Sequence, residues 1–192
     1  MAFLVETSWV HIRWIDDEAN SVIRAIRSKD SSDGVMEQIF KTEGYRRLND
    51  RETGMGRPLA KKDFINCITD SKSTADDYSK TLDEWAKLDF NALGNRSAAY
   101  LPKNAKLEAS VYPLIKPYSN SFVWDVEKNP AIMLYLDPKK SAAEVAMTVT
   151  HELHHIGSEM VHRDRGSAES KELNPLCYFF LVGFDRKLLQ YS

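Results

Sequence analysis

The sequence predicts an α+β chain with helices mainly before residue 105 and a small, mostly antiparallel sheet after it. Three observations carry this. Apolar residues recur at helical spacing before residue 105, alternate with polar ones at a period of two over residues 106–126, and return to the helical period after residue 141. The 192 residues fit one domain, with a helical part over 1–104 and the sheet, a motif-bearing helix and a last helix over 105–192. A chain that is 43% hydrophobic and 28% charged folds into a globule, which excludes disordered, collagen-like and rod-like classes. The net charge of −2 gives no electrostatic drive toward nucleic acid or an anionic membrane, so neither is an expected partner. No run approaches the ~20 apolar residues of a membrane span. Two cysteines, Cys67 and Cys177, are too few for a disulfide framework and sit in apolar contexts as inert thiols. Met1 to Val5 has no basic signal-peptide region, which makes the chain cytoplasmic if Met1 is the native start.

The elements follow in order. Asp16 to Ser28 places Ala19, Val22, Ile23 and Ile26 on one helical face. Val35, Ile39 and Phe40 mark a second helix, which Gly44 should end. Arg51 to Pro58, rich in glycine and charge, reads as a loop. Lys61 to Thr69 aligns Phe64, Ile65 and Ile68. Ser73 to Leu88 aligns Tyr78, Leu82, Trp85 and Leu88, with Ser73 or Thr74 as N-cap. Leu107, Ala109 and Val111 alternate with Lys106, Glu108 and Ser110. Phe122, Trp124 and Val126 alternate with Ser121, Val123 and Asp125. Ala131 to Leu136 is apolar throughout, as in a strand buried on both faces. With turns at Pro117–Asn120 and Glu127–Pro130, these strands predict a three-stranded meander. Trp9, Trp14, Trp85 and Trp124 are expected in the core. Ser141-Ala142-Ala143-Glu144 is a capping box that opens a helix to about Gly157. A polar connection over Ser158–Leu173 and a last helix begun by Asn174-Pro175 complete the chain.

That capped helix contains His151-Glu152-Leu153-His154-His155, a His-Glu-x-x-His signature of zinc peptidases. Residues four apart on a helix lie about 40° apart in angle and about 6 Å apart in rise, so two imidazoles so placed can converge on one tetrahedral zinc ion. Glu152 lies about 100° around the axis, too far to ligate beside them, yet able to reach a water next to the metal as its general base. Measured from His151, Ala142, Val145, Ala146, Val149, Leu153 and Ile156 fall between about 120° and 220°. This stripe should face the core and turn both histidines toward a cleft. His154 points away from both faces and reads as a packing or outer residue.

A catalytic zinc takes three protein ligands and keeps one open position. Glu159 would stand about 12 Å along the axis from His151, too far to share the ion, and reads as a solvated helix-end residue. His162 reads as a loop residue. Ser158 and Val161 occupy the places where metzincins have glycine and histidine. The remaining acids are Glu169, Glu172 and Asp185. Glu172 has the longer reach. Asp185 is set among Phe184, Leu188 and Leu189, and such a carboxylate needs a partner, either zinc or Arg186 or Lys187.

The segments Ala99-Tyr100-Leu101-Pro102, Val111-Tyr112-Pro113, Leu134-Tyr135-Leu136-Asp137-Pro138 and His151-Glu152-Leu153-His154-His155-Ile156-Gly157 resemble a bacterial family of uncharacterised zinc-dependent peptidases, similar to gluzincins. The resemblance spans roughly residues 35 to 157. It implies a zincin-like fold, His151 and His155 as zinc ligands, Glu152 as base, and a glutamate on a following helix as third ligand. Relatives carry a Glu-Gly-x-Ala stretch there; this chain reads Gly183-Phe184-Asp185-Arg186-Lys187. This departure leaves three possibilities: Asp185 replaces the glutamate, Glu172 or Glu169 serves, or the site is incomplete. The resulting expectation is zinc-dependent hydrolysis of a peptide or protein substrate, with Ala131–Leu136 pairing an extended peptide at its edge. The alternative is a catalytically incomplete zincin acting as a metal-stabilised binding module.

Overall fold

The computed structural model describes residues 9–71, 73–101 and 106–165. The chain divides into compact units of residues 1–160 and 161–192. The sheet and all the packing below belong to the first unit; the described residues of the second are the end of one helix. The order is β1 (Trp9–Trp14), α1 (Asp17–Ser28), α2 (Asp33–Phe40), α3 (Glu43–Gly54), α4 (Lys61–Thr69), α5 (Ala75–Trp85), α6 (Phe90–Ala98), β2 (Lys106–Leu114), β3 (Phe122–Trp124), β4 (Ala131–Tyr135) and α7 (Ala142–Arg165). The class is α+β, with seven helices among the described residues and one four-stranded mixed sheet. No described helix is long and apolar enough to cross a membrane.

The sheet corrects the expected mostly antiparallel meander. Its order is β1-β2-β4-β3, with β1–β2 and β2–β4 parallel and only β3–β4 antiparallel. The reason lies in β4. Ala131 to Leu134 are all fully buried, and a strand without a polar face needs cover on both faces and a neighbour on both edges. It therefore sits between β2 and the three-residue β3, which follows β2 in sequence but does not pair with it. The apolar run that suggested burial on both faces thus also fixes a central position. The fourth strand, β1, lies where only helices were expected. Val10, Ile12 and Trp14 turn inward while Trp9, His11 and Arg13 are exposed. The period of two is present but lasts six residues, and its partner β2 begins at Lys106.

Other boundaries shift for local reasons. Gly44 does not end α2; it stands in the first turn of α3. There the Asp17 carboxylate accepts the amides of Glu43 (2.6 Å) and Gly44 (3.1 Å), and a Cβ at Gly44 would come within 3.0 Å of both Glu18 Cβ and Leu114 Cδ2. Arg51 to Gly54 is the last turn of α3 rather than loop. Helix α6, absent from the sequence reading, is capped by Asp89, whose side chain accepts the Ala92 amide. The Thr74–Asp77 and Ser141–Glu144 capping boxes both form. Helix α7 runs past Gly157 to Arg165, so His162 lies in a helix and not in a loop. Of the tryptophans, Trp85 is buried and Trp14 and Trp124 are half-buried, whereas Trp9 is 50% exposed and not core.

Leu107, Ala109, Val111, Ile132 and Leu134 share one buried cluster with α1, α5 and α7. Tyr112, Leu114, Ala131 and Met133, on the other face, pack with Leu48 of α3. Two ionisable groups are buried where the parallel strands end. Lys116 donates to the carbonyls of Tyr118 (2.5 Å) and Asn120 (2.7 Å) and to Asn120 Oδ1 (3.0 Å). Burial pushes its pKa down to about 8, with Glu52 opposing. Glu18 accepts the Ile115 amide at 3.1 Å through one oxygen, and its other oxygen has no partner among the described residues. Burial holds the Glu18 carboxyl well above the usual carboxylate range. A raised folded pKa contributes stability below the unfolded value near 4.5 that is lost as pH rises through the folded value. Glu18→Gln keeps the acceptor for Ile115 and cannot ionise. In urea denaturation at pH 5 and pH 8, the variant should lose less stability between the two than the wild type and be the more stable at pH 8. Equal losses in the two proteins would contradict the burial of an ionisable Glu18.

Candidate metal centre

Helix α7 owes its orientation to its apolar stripe. Val145, Val149, Leu153 and Ile156 are at most 2% exposed and join the cluster above the sheet. Each such burial is worth about 1.5–3 kcal/mol, against a few tenths for differences in helix propensity, so packing decides which way the helix faces. The opposite side carries Met147, which is exposed, and His151 and His155, which are half-buried. The expected stripe thus faces the core, and the two histidines lie on the other side of the helix.

The two imidazoles meet. Nε2 of His151 and Nε2 of His155 are 2.9 Å apart, and the rings are nearly perpendicular, with centroids 4.4 Å apart. Nitrogens bound at about 2.0–2.1 Å to one tetrahedral zinc ion lie about 3.3 Å from each other. The pair therefore needs to open by only a few tenths of an ångström to hold the ion, and the residues fit that metal. Burial, then the neighbouring His151 and His154, lowers the pKa of His155. Burial and His151 do the same for His154. Both shifts favour neutral imidazole, the form that binds metal.

Glu152 is half-buried on the flank of the same helix, and burial pushes its carboxyl up to about 7. A divalent cation beside it would favour the carboxylate and draw that value down. Glu159 is exposed, as expected of a solvated residue, although it lies inside α7 rather than at its end. No group of three histidine, cysteine, aspartate or glutamate side chains is arranged for a metal among the described residues. Glu169, Glu172, Asp185 and Cys177 lie outside the described residues. Cys67 is half-buried, with its thiol pushed up to about 11 by burial, in keeping with an inert thiol.

A family model described as "Putative zinc dependent peptidase (DUF5700)" matches residues 26–183. The chain belongs to this family. DUF5700 reaches beyond the roughly 35–157 span of the sequence resemblance at both ends, and it includes the motif helix. By its description the family implies dependence on zinc and a peptide substrate. No curated protein and no solved structure matches the chain.

Three contacts to α7 and the residues just before it had no signal in the sequence reading, because two of them come from α6 and the short segment after it. Ser97 Oγ donates to the Thr150 carbonyl at 2.9 Å, and Trp85 Nε1 of α5 donates to the Lys140 carbonyl at 3.2 Å. Leu101 packs on Gly157, where an added Cβ would lie 2.2 Å from Leu101 Cδ1. Gly157, expected to end the helix, instead allows a close approach in its middle.

The convergence of the two rings generates a direct expectation. His151→Ala and His155→Ala should each weaken zinc binding strongly, since a single imidazole holds the ion poorly. Zinc titration against a competing chelator measures this, and a double variant that still holds one zinc per chain would reject the pair as ligands.

Proposed function

We propose that this chain is a zinc-dependent peptidase in which His151 and His155 hold the metal and Glu152 acts as general base. The observation that carries the reading is the 2.9 Å approach of the two Nε2 atoms on the side of α7 away from its apolar stripe, with Glu152 next to His151 in sequence and half-buried. Membership of the DUF5700 family supports the same metal and the same substrate class. Zinc, when bound, would supply Lewis-acid polarisation of the scissile carbonyl. Glu152 would take a proton from the attacking water and pass it to the leaving amine. Its carboxyl is half-buried on the same helix, next in sequence to His151.

The third ligand in this proposal is Asp185, with Glu172 as the alternative. A carboxylate would reduce the charge of the ion and complete a three-ligand catalytic set. The fold we propose around the site is zincin-like. The peptide does not pair with β4, because β2 and β3 occupy both of its edges. Among the described residues the outer strands of the sheet are β1 and β3, and on β1 the Ile12 amide is already bonded to Asn91 Oδ1 at 2.9 Å. That leaves β3 as the edge more open to an extended substrate.

Glu152→Gln separates base from ligand. Zinc content should be unchanged while hydrolysis of a quenched fluorescent peptide library falls by about 10²–10⁴-fold, the usual contribution of a general base. Loss of zinc in this variant would make Glu152 a ligand instead. Under the same assay Asp185→Ala should weaken zinc binding more than Glu172→Ala, and unaltered binding in both would reject both acids.

A further inference from the structure

We infer that Ser97 is a positioning residue for the histidine pair: its hydroxyl, holding the Thr150 carbonyl, fixes how α7 is turned against α6 so that the His151 and His155 rings meet. Ser97 is 1% exposed, so its hydroxyl has no water to turn to. It has one proton and two acceptors in reach, the Leu93 carbonyl of its own helix at 3.3 Å and the Thr150 carbonyl of α7 at 2.9 Å. The first is the usual back-bond of a helical serine; the second is shorter and ties two helices together.

The place of the acceptor gives the contact its consequence. Thr150 immediately precedes His151. In a regular helix its carbonyl already takes the amide of His154, so the Ser97 hydroxyl fills the second lone pair of an oxygen one residue from the first imidazole. Apolar packing of Val145, Val149, Leu153 and Ile156 holds α7 on the core, yet such packing is non-directional and tolerates a small rotation or slide. A hydrogen bond is directional and does not. Because each residue step turns the helix by about 100°, even a small part of that step swings both imidazoles.

The two other contacts lie farther from the pair. Trp85 grips the Lys140 carbonyl just before the helix begins, and Leu101 meets Gly157 beyond His155. The first holds the approach to α7 and the second is an apolar contact past His155, whereas Ser97 makes the directional bond that fixes the helix's rotation at the histidines. The consequence for the metal rests on the reading of His151 and His155 as ligands; the placement of the rings does not.

The experiment compares Ser97→Ala with Trp85→Phe. The first removes one oxygen, with no change of fold expected. The second removes the distant contact and an indole, and costs more stability. In each metal-free protein the imidazole signals of His151 and His155 are followed by ¹H–¹⁵N NMR, and zinc affinity is then measured by chelator competition. Ser97→Ala should displace both sets of ring signals and weaken zinc binding by about tenfold, as supporting residues of metal ligands do. Trp85→Phe should lower the melting temperature and leave ring signals and zinc affinity near wild type. Unchanged ring signals in Ser97→Ala, or equal displacement in Trp85→Phe, would overturn the inference. A wild-type chain that takes up no zinc while Ser97→Ala still displaces the rings would uphold the positioning role and remove the metal reading.

Discussion

Burial of one face of α7 constrains everything else about the candidate site. Val145, Val149, Leu153 and Ile156 recur at helical spacing and lose almost all contact with water in the cluster they share with β2 and β4. A helix has one such face, so the same burial that anchors α7 determines where its other residues go. His151 and His155 differ by about 40° in angle, and they fall together on the side away from the core. Their nitrogens come within 2.9 Å of each other. The ligand geometry is thus a by-product of core packing. The stability of the fold is invested in the orientation of the pair.

The sheet beneath α7 imposes its own conditions. A strand with no polar face must be central, so β4 is enclosed between β2 and β3 and closed to a substrate. The crossing of helices over parallel strands also buries charge where the strands end. Lys116 is held by three oxygen acceptors, and Glu18 by one backbone amide. Burial shifts both toward their neutral forms, which makes this end of the sheet sensitive to pH on the side away from ordinary surface chemistry. Asp17, next to Glu18, caps α3 through two amides, so a short run at the start of α1 joins three elements.

Sequence periodicity revealed what depends on local pattern and missed what depends on distant partners. The α7 stripe, the Ser141–Glu144 box, the Thr74 cap and the Lys61–Thr69 helix were all legible, because each is set within a few residues. The parallel pairing was not. Trp9–Trp14 has a clear alternation, but its meaning depends on Lys106–Val111, far along the chain. Gly44 looked like a helix stop because glycine is common there; its actual role, close contact with Glu18 and Leu114, is tertiary. In the site, the His-Glu-x-x-His spacing carried the two imidazoles and the carboxylate. Ser97 carried no signal, since a serine in an unrecognised helix has no pattern that names its acceptor.

The central claim is that the histidine pair on α7 is half of a zinc site rather than a chance meeting of two rings. The most direct measurement is metal analysis and zinc X-ray absorption on native protein purified without added metal. The account predicts about one zinc per chain, with nitrogen and oxygen neighbours at about 2.0–2.2 Å. Protein free of zinc after such purification, or a zinc shell dominated by sulfur near 2.3 Å, would contradict it.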